Sequence, residues 1–406
     1  MKNKLYLAVL FLVALIVYTA CKKEDKIDDP NGGKNGNDFI YDPTPYEFNF
    51  PGYFPTILNI PDDNPMTVEG VELGRYLFYD GRLSGRTHPD SLMSCGTCHI
   101  QEHAFTTGIN HPVYTGGHPF GLTGIPTPQL TMPLVNLVFN NNGYLWNGMI
   151  HEDNPNLGSA AYGVEPLPEF HMRNIESLVW MGIVAPHEMY GSVEQTVNLI
   201  ASIDMYAPKF QAAFGTPEVT YERISKAIAQ FIRSLVSFDS RFDKYLRGEL
   251  QLTQQELHGF VLFSTESGAD CFHCHGGAQN PLWTTNLFYN NAKDSVFTSQ
   301  TDPRDRYAVT GNPKDRGAYK APTLRNVELT APYMHDGRFE TLEEVIDFYS
   351  DQLVYSPYAH SLMHKLPDGG ARLNPNEKES LLAFIKSLTD HNFVTNPDFS
   401  KPDDLP

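Results

Sequence analysis

The pentapeptide Cys-x-x-Cys-His occurs twice in this chain, as Cys95-Gly96-Thr97-Cys98-His99 and as Cys271-Phe272-His273-Cys274-His275. The two copies use four of its five cysteines. In such a turn each thiol can form a thioether to one haem vinyl group, and the following His then lies under the iron as its proximal ligand. A zinc or disulfide pair at each Cys-x-x-Cys is the other reading of the spacing. Cys and His are rare residues, so two chance copies are not expected. The chain is therefore expected to carry two covalent c-type haems, ligated through His99 and His275.

The 406 residues leave room for two domains of ordinary size, and 41% hydrophobic residues supply a packed core. A formal charge of −18 argues against nucleic acid as a partner and against charge-driven binding to anionic membrane, while suiting a basic redox partner. The start reads as a targeting segment. Lys2 and Lys4 precede an apolar run from Leu5 to Val17, too short for a stable span, which ends in Tyr18-Thr19-Ala20-Cys21. That ending resembles a bacterial lipoprotein cleavage box, so residues 1–21 are read as a signal peptide with Cys21 lipidated; an uncleaved anchor with a free Cys21 is the alternative. Residues 22–47, rich in Lys, Asp, Asn, Gly and Pro, read as a flexible tether. The expected location is extracytoplasmic and lipid-anchored, at the periplasmic face or cell surface of a Gram-negative bacterium. This agrees with the attachment of covalent haem after export.

The remaining signals are mainly helical. Val71–Phe78 has a short helical pattern, and Tyr221–Phe238 carries apolar residues at helical spacing. Thr253-Gln254-Gln255-Glu256 and Thr341-Leu342-Glu343-Glu344 read as capping boxes. Asn374-Pro375-Asn376-Glu377 is a cap followed by Pro at the first helical position, before a last helix running to Leu388. The 31 Gly and 30 Pro cluster at 108–133 and 274–322, which predicts long loops there. The predicted fold is mainly α: two cytochrome c-like helical domains, residues 48–240 and 248–395, each holding one haem. Outside the haem signatures the halves show no obvious tandem repeat.

Three stretches carry a resemblance. The first is Glu-Leu-Gly-Arg-Tyr-Leu-Phe-Tyr-Asp-Gly-Arg-Leu-Ser-Gly at 72–85, then Ser94, the first haem box and Ala104-Phe105-Thr106. The second is Gly259 to Phe263, leading into the second box. The third runs from Ala321-Pro322-Thr323-Leu324-Arg325-Asn326 through Ala331-Pro332-Tyr333-Met334-His335-Asp336-Gly337-Arg338. With their spacing these cover most of residues 65–390 and resemble the bacterial dihaem cytochrome c peroxidase/MauG family.

The resemblance implies a peroxidatic first haem on His99 and a six-coordinate second haem on His275 that stores and delivers an electron. It implies that the sixth ligand of the second haem lies fourteen residues after His335, at Tyr349; Met334 is the rival. A phenolate would favour higher iron oxidation states where a thioether would not. Pro186-His187-Glu188-Met189 matches the family pattern around its acid–base carboxylate, giving Glu188. Leu178 stands where the family often has Gln, which puts a second distal hydrogen bond in doubt and makes His151, His171 and His187 candidate substitutes. Trp146 matches the tryptophan between the two haems. A calcium ion is implied, with the carbonyls of Thr330 and Pro332 and the side chain of Asn136 as donors. His111 and His118 are candidates for a reductive switch, although the match at Tyr349 favours a constitutively open site.

The activity so implied is reduction of hydrogen peroxide with electrons from a small donor protein, such as a c-type cytochrome or a cupredoxin. The alternatives are a MauG-like oxidase of a protein or small molecule and a non-catalytic electron-transfer cytochrome. The family often forms homodimers.

Overall fold

The computed structural model describes residues 39–114, 118–151, 174–297 and 305–406. The segment read as a signal peptide with Cys21, most of the segment read as a tether, and His171 lie outside them. Tyr41–Pro406 forms one unit in contact terms, and it is mainly helical. Its helices are α1 (Val68–Tyr79), α2 (Ile175–Val184), α3 (Val193–Ala201), α4 (Tyr206–Phe214), α5 (Tyr221–Ser234) and α6 (Arg241–Leu246). They continue as α7 (Gln254–Phe263), α8 (Phe272–His275), α9 (Arg306–Thr310), α10 (Leu342–Asp351), α11 (Pro375–Lys386) and α12 (His391–Val394). A single antiparallel pair is described, β1 (Phe288–Tyr289) on β2 (Tyr319–Lys320), with Phe288 opposite Lys320. Among the described residues no helix is long and apolar enough to cross a membrane.

The capping chemistry legible in the sequence is present. Thr253/Glu256, Thr341/Glu344 and Asn374/Glu377 form reciprocal capping boxes that open α7, α10 and α11. Helix α5 ends at Ser234, short of the predicted Phe238. Asn136 takes over the chain there: its N–H donates to the Leu235 carbonyl at 3.0 Å, and its Oδ1 accepts from Ser237 N at 2.7 Å. Helix α2 was not legible, because Ile-Glu-Ser-Leu-Val-Trp-Met-Gly-Ile-Val is apolar nearly all round and shows no polar face.

Buried side chains gather into two main apolar clusters. One is built on α1, α2, α4 and α5 around Leu77, Phe78, Ile228 and Phe231. The other is built on α6, α7, α10 and α11 around Phe242, Phe263, Trp283 and Phe384. The C-terminal end, of which the residues up to 395 were expected in the second haem domain, returns to the first cluster. Phe393 of α12 packs edge-on against Phe105 with ring centroids 5.8 Å apart, and Arg75 of α1 donates to the carbonyls of Ser400 and Pro397.

Geometry exposes a repeat that the residues hide. Helix α1 crosses α5 at Gly74, where a Cβ would lie 1.9 Å from the Ala227 carbonyl oxygen; α7 crosses α11 at Gly259, where a Cβ would lie 1.9 Å from that of Ser380. Phe231 and Phe384, one turn further along, close each crossing. Asn136 and Asn326 both sit at φ 60°, each donating its N–H to the end of a helix, at Leu235 and Leu388. Tyr144 pairs with Ile150 as Tyr333 pairs with Phe339, and the next residues, Leu145 and Met334, share a left-handed conformation.

Both crossings require backbone to touch backbone. Gly259→Ala is expected to lower the stability of the haem-loaded protein by about 1–3 kcal/mol through overpacking, measured as a shift in denaturant midpoint; an unchanged midpoint would mean that the crossing opens without cost.

Candidate functional site

Each Cys-x-x-Cys-His turn opens onto its own cavity. The first, with about 1520 Å³ of empty space including its mouth, is lined by Cys95, Cys98 and His99. The second, about 1460 Å³ on the same measure, is lined by Cys271, Cys274 and His275. None of the four cysteines is bridged to another, and burial pushes all four thiols up to about 12.

The proximal imidazoles are prepared for iron. His99 Nδ1 lies 2.6 Å from the Phe105 carbonyl oxygen, and His275 Nδ1 lies 3.1 Å from that of Pro322. A carbonyl can only accept, so each Nδ1 carries the proton and each Nε2 presents a lone pair. Burial pushes both groups down to about 4, which keeps them neutral. Thiol pair, oriented neutral imidazole and large apolar-walled cavity fit a covalent haem at each site.

Glu188 lines the first cavity together with His187, Gly182 and Leu178. The buried Arg233–Glu176 ion pair, 2.6 and 2.9 Å, fixes α2 on α5. The turn after α2 then delivers Glu188, whose N–H donates to the Ala185 carbonyl at 3.0 Å. The Leu122 N–H donates to the Glu188 carbonyl at 3.0 Å, and a Cβ at Gly121 would lie 1.9 Å from that same oxygen, so the backbone is clamped. Gly182 makes room for the carboxylate, since a Cβ there would approach Oε2 to 2.9 Å. The side chain is 34% exposed, opening onto the cavity it lines. Burial alone pushes its carboxyl up to about 7.

Leu178 does reach the first cavity and offers no hydrogen bond where the family often has Gln. Of the substitutes, His187 lines this cavity, with its Nε2 3.9 Å from Glu188 Oε1. His151, His111 and His118 are not among the residues lining either cavity; His118 Nδ1 instead donates to the Thr127 carbonyl at 2.7 Å.

Trp146 lines both cavities. Its Nε1 donates to the Leu130 carbonyl at 2.9 Å, and its ring stands edge-on to His335, centroids 6.4 Å apart. His335 stacks on Tyr319 at 3.6 Å. In the second cavity, Tyr349 and Met334 share one corner: Asn291 Nδ2 donates to Tyr349 Oη at 2.9 Å and lies 3.8 Å from Met334 Sδ. Burial pushes the Tyr349 phenol above its usual range, opposed by the Asn291 hydrogen bond. Asn136 also lines the first cavity, its amide nitrogen donating to the Ser237 carbonyl at 3.1 Å. Thr330 and Pro332 flank Ala331 on the loop leading to His335.

Sequence reasoning missed Lys320. It lines both cavities and is 5% exposed, with its Nζ donating to the Asn286 carbonyl at 3.0 Å. Burial, with the Arg306 cation nearby, pushes it down to about 7. The available signal was a lysine immediately before Ala321-Pro322, the start of the third family stretch.

Fold and site define a protein with two cavities that each fit a covalent haem, the first of them lined by a carboxyl group. Residues 68–251 match the di-haem cytochrome c peroxidase family. A cytochrome c551 peroxidase of Nitrosomonas europaea is 31% identical over 339 residues, covering 83% of this chain and 84% of that protein. The methylamine utilization protein MauG of Methylorubrum extorquens is 29% identical over 331 residues, covering 81% and 80%. The crystal structure of a MauG-like protein associated with microbial copper homeostasis has a TM-score of 0.72 and 32% identity, covering 88% of this chain and 99% of that one. The chain belongs to the di-haem cytochrome c peroxidase family, which implies two haem c cofactors.

Glu188 gives a pH test. Its folded value, about 7, lies above the ordinary 4.5, so the folded chain holds this proton more tightly than the unfolded one. The stability this contributes is fully present below about pH 4.5 and is lost as pH rises through about 7. The unfolding midpoint of the parent should therefore fall relative to that of Glu188→Gln across this window. Parallel profiles would mean that the carboxyl is solvated in the folded protein.

Proposed function

We propose that this chain is a dihaem peroxidase, reducing hydrogen peroxide to water with electrons from an external donor that pass through the second haem. The observation that carries the reading is Glu188: a clamped carboxyl, pushed up to about 7, lining the same cavity as His99. Haem, when bound, supplies the redox chemistry that breaks the peroxide O–O bond. As the carboxylate, Glu188 accepts a proton from peroxide and returns it to the departing oxygen. His187 beside it adds a second polar contact, Leu178 and Val179 keep the wall apolar, and His99, its Nδ1 proton held by Phe105, would hold the iron through Nε2. Trp146 bridges the two cavities and serves as the route for electrons.

Peroxide consumption is expected to rise with pH through about 7 as Glu188 becomes a base. In Glu188→Gln it should fall by roughly 10²–10⁴-fold and lose that step. Unchanged consumption would remove Glu188 from the mechanism.

Tyr349 is proposed as the sixth ligand of the second haem. Tyr349→Phe should change the low-spin EPR signal of the ferric protein, whereas Met334→Leu should leave it in place; the reverse pattern would assign Met334. Two oxygen-donor groups support a calcium ion as part of the same proposal: the carbonyls of Thr330 and Pro332, and the second lone pair of Asn136 Oδ1. We further propose anchoring through lipidated Cys21 outside the cytoplasm, with a c-type cytochrome or cupredoxin as donor.

A MauG-like oxidase is the second reading. It is favoured by Tyr349 in the second cavity and by the 29% identity to MauG. Screening donor proteins against oxidisable substrates separates the two.

A further inference from the structure

Among the described residues, one group of metal-ligating side chains lies close enough to share an ion, and it includes neither proximal histidine: Glu266, His273 and His364. One donor atom from each lies within 4.8 Å of the others. Beneath them sits Asp270, its side chain 3% exposed, at φ 61° in the turn before the second haem box. Asp270 Oδ1 accepts from His273 Nδ1 at 2.8 Å, and its Oδ2 lies 3.2 Å from His364 Nδ1. The two rings stand at 83° with centroids 4.9 Å apart. A carboxylate can only accept, so Asp270 draws the proton of each ring to Nδ1 and leaves both Nε2 atoms as lone-pair donors. Glu266 Oε1 is already 3.6 Å from His273 Nε2. A carboxylate that orients two imidazoles from behind is the outer-shell arrangement typical of metal-bound histidines.

We infer that Glu266, His273 and His364 form a mononuclear site for a divalent transition-metal ion of the zinc or copper type, oriented by Asp270. Two imidazole nitrogens and a carboxylate oxygen are borderline donors that suit those ions, and three protein ligands leave a fourth position open. Donors around one tetrahedral zinc lie roughly 3.3 Å apart, given bonds of about 2.0–2.1 Å. The present spread must therefore close by about 1.5 Å. Glu266 and His364, with side chains 68% and 40% exposed, have room to rotate inward, while the buried Asp270 side chain and the half-buried His273 hydrogen-bonded to it form the fixed half. His273 belongs to the haem-attachment turn, and His364 lies in a loop lining the second cavity. A bound cation clamps that loop to the turn at the edge of the second haem.

The test uses full-length protein with both haems attached, treated with chelator and then resupplied with calcium. Titration with Zn²⁺ by calorimetry should show one equivalent bound. His364→Ala and Glu266→Gln should each weaken it at least tenfold. Asp270→Asn keeps the side-chain shape, and Asn tolerates the left-handed backbone; it should weaken binding by roughly 10–100-fold. With Cu²⁺ as the probe, EPR should show hyperfine coupling to two imidazole nitrogens, reduced to one in His364→Ala. Haem content and thermal unfolding equal to the parent in Glu266→Gln would exclude a folding defect. No stoichiometric Zn²⁺ uptake, or uptake unchanged in all three variants, would leave the cluster a hydrogen-bonded brace and overturn the inference.

Discussion

Both proximal imidazoles are held by backbone carbonyls, and the rest of the site depends on that choice. A carbonyl cannot titrate or rotate away from its peptide, so it fixes the ring and the tautomer together. It also ties each attachment turn to the loop that supplies it. His99 depends on Phe105, inside the turn closed by the Ile100–Thr106 pairing, where Ala104 and Phe105 both take left-handed conformations. His275 depends on Pro322, in the segment that follows Lys320. Lys320 and Pro322 line both cavities. The segment that orients the second proximal ligand therefore also walls the first cavity, and the two sites cannot move independently.

The two halves reuse one plan and diverge where chemistry is needed. Gly74 and Gly259 let helices cross at backbone distance, and Asn136 and Asn326 close the ends of corresponding helices. On the shared loop, Trp146 in one half stands where His335 stands in the other, and these two side chains meet edge-on between the cavities. The divergence is concentrated in the side chains that line the cavities. The first receives Glu188 and His187 from the turn after α2, and the second receives Tyr349 from α10 and Met334 from the repeated loop. A titratable carboxyl suits proton transfer, and a phenol or thioether suits a filled coordination sphere. One scaffold thus yields one reactive and one storage position under the proposed function.

Local chemistry was legible from the sequence. The two haem boxes, the capping boxes at Thr253, Thr341 and Asn374, and the family stretches name residues whose meaning depends on neighbours a few positions away. Glu188, Trp146 and Tyr349 could be named through the family pattern, and each was found lining a cavity. What the sequence by itself determined was therefore the cofactor, the family and the N-terminal ends of the capped helices. Only the tertiary structure decided which groups meet. The repeat was hidden because it is carried by backbone conformation and a single glycine at each crossing, while the packed side chains differ. Lys320 between the cavities, and Asp270 holding His273 to His364 across about ninety residues, are long-range juxtapositions that no local spacing encodes. Burial, which pushes Glu188 and Lys320 towards neutrality at about 7, arises only when distant segments close over them and exclude water.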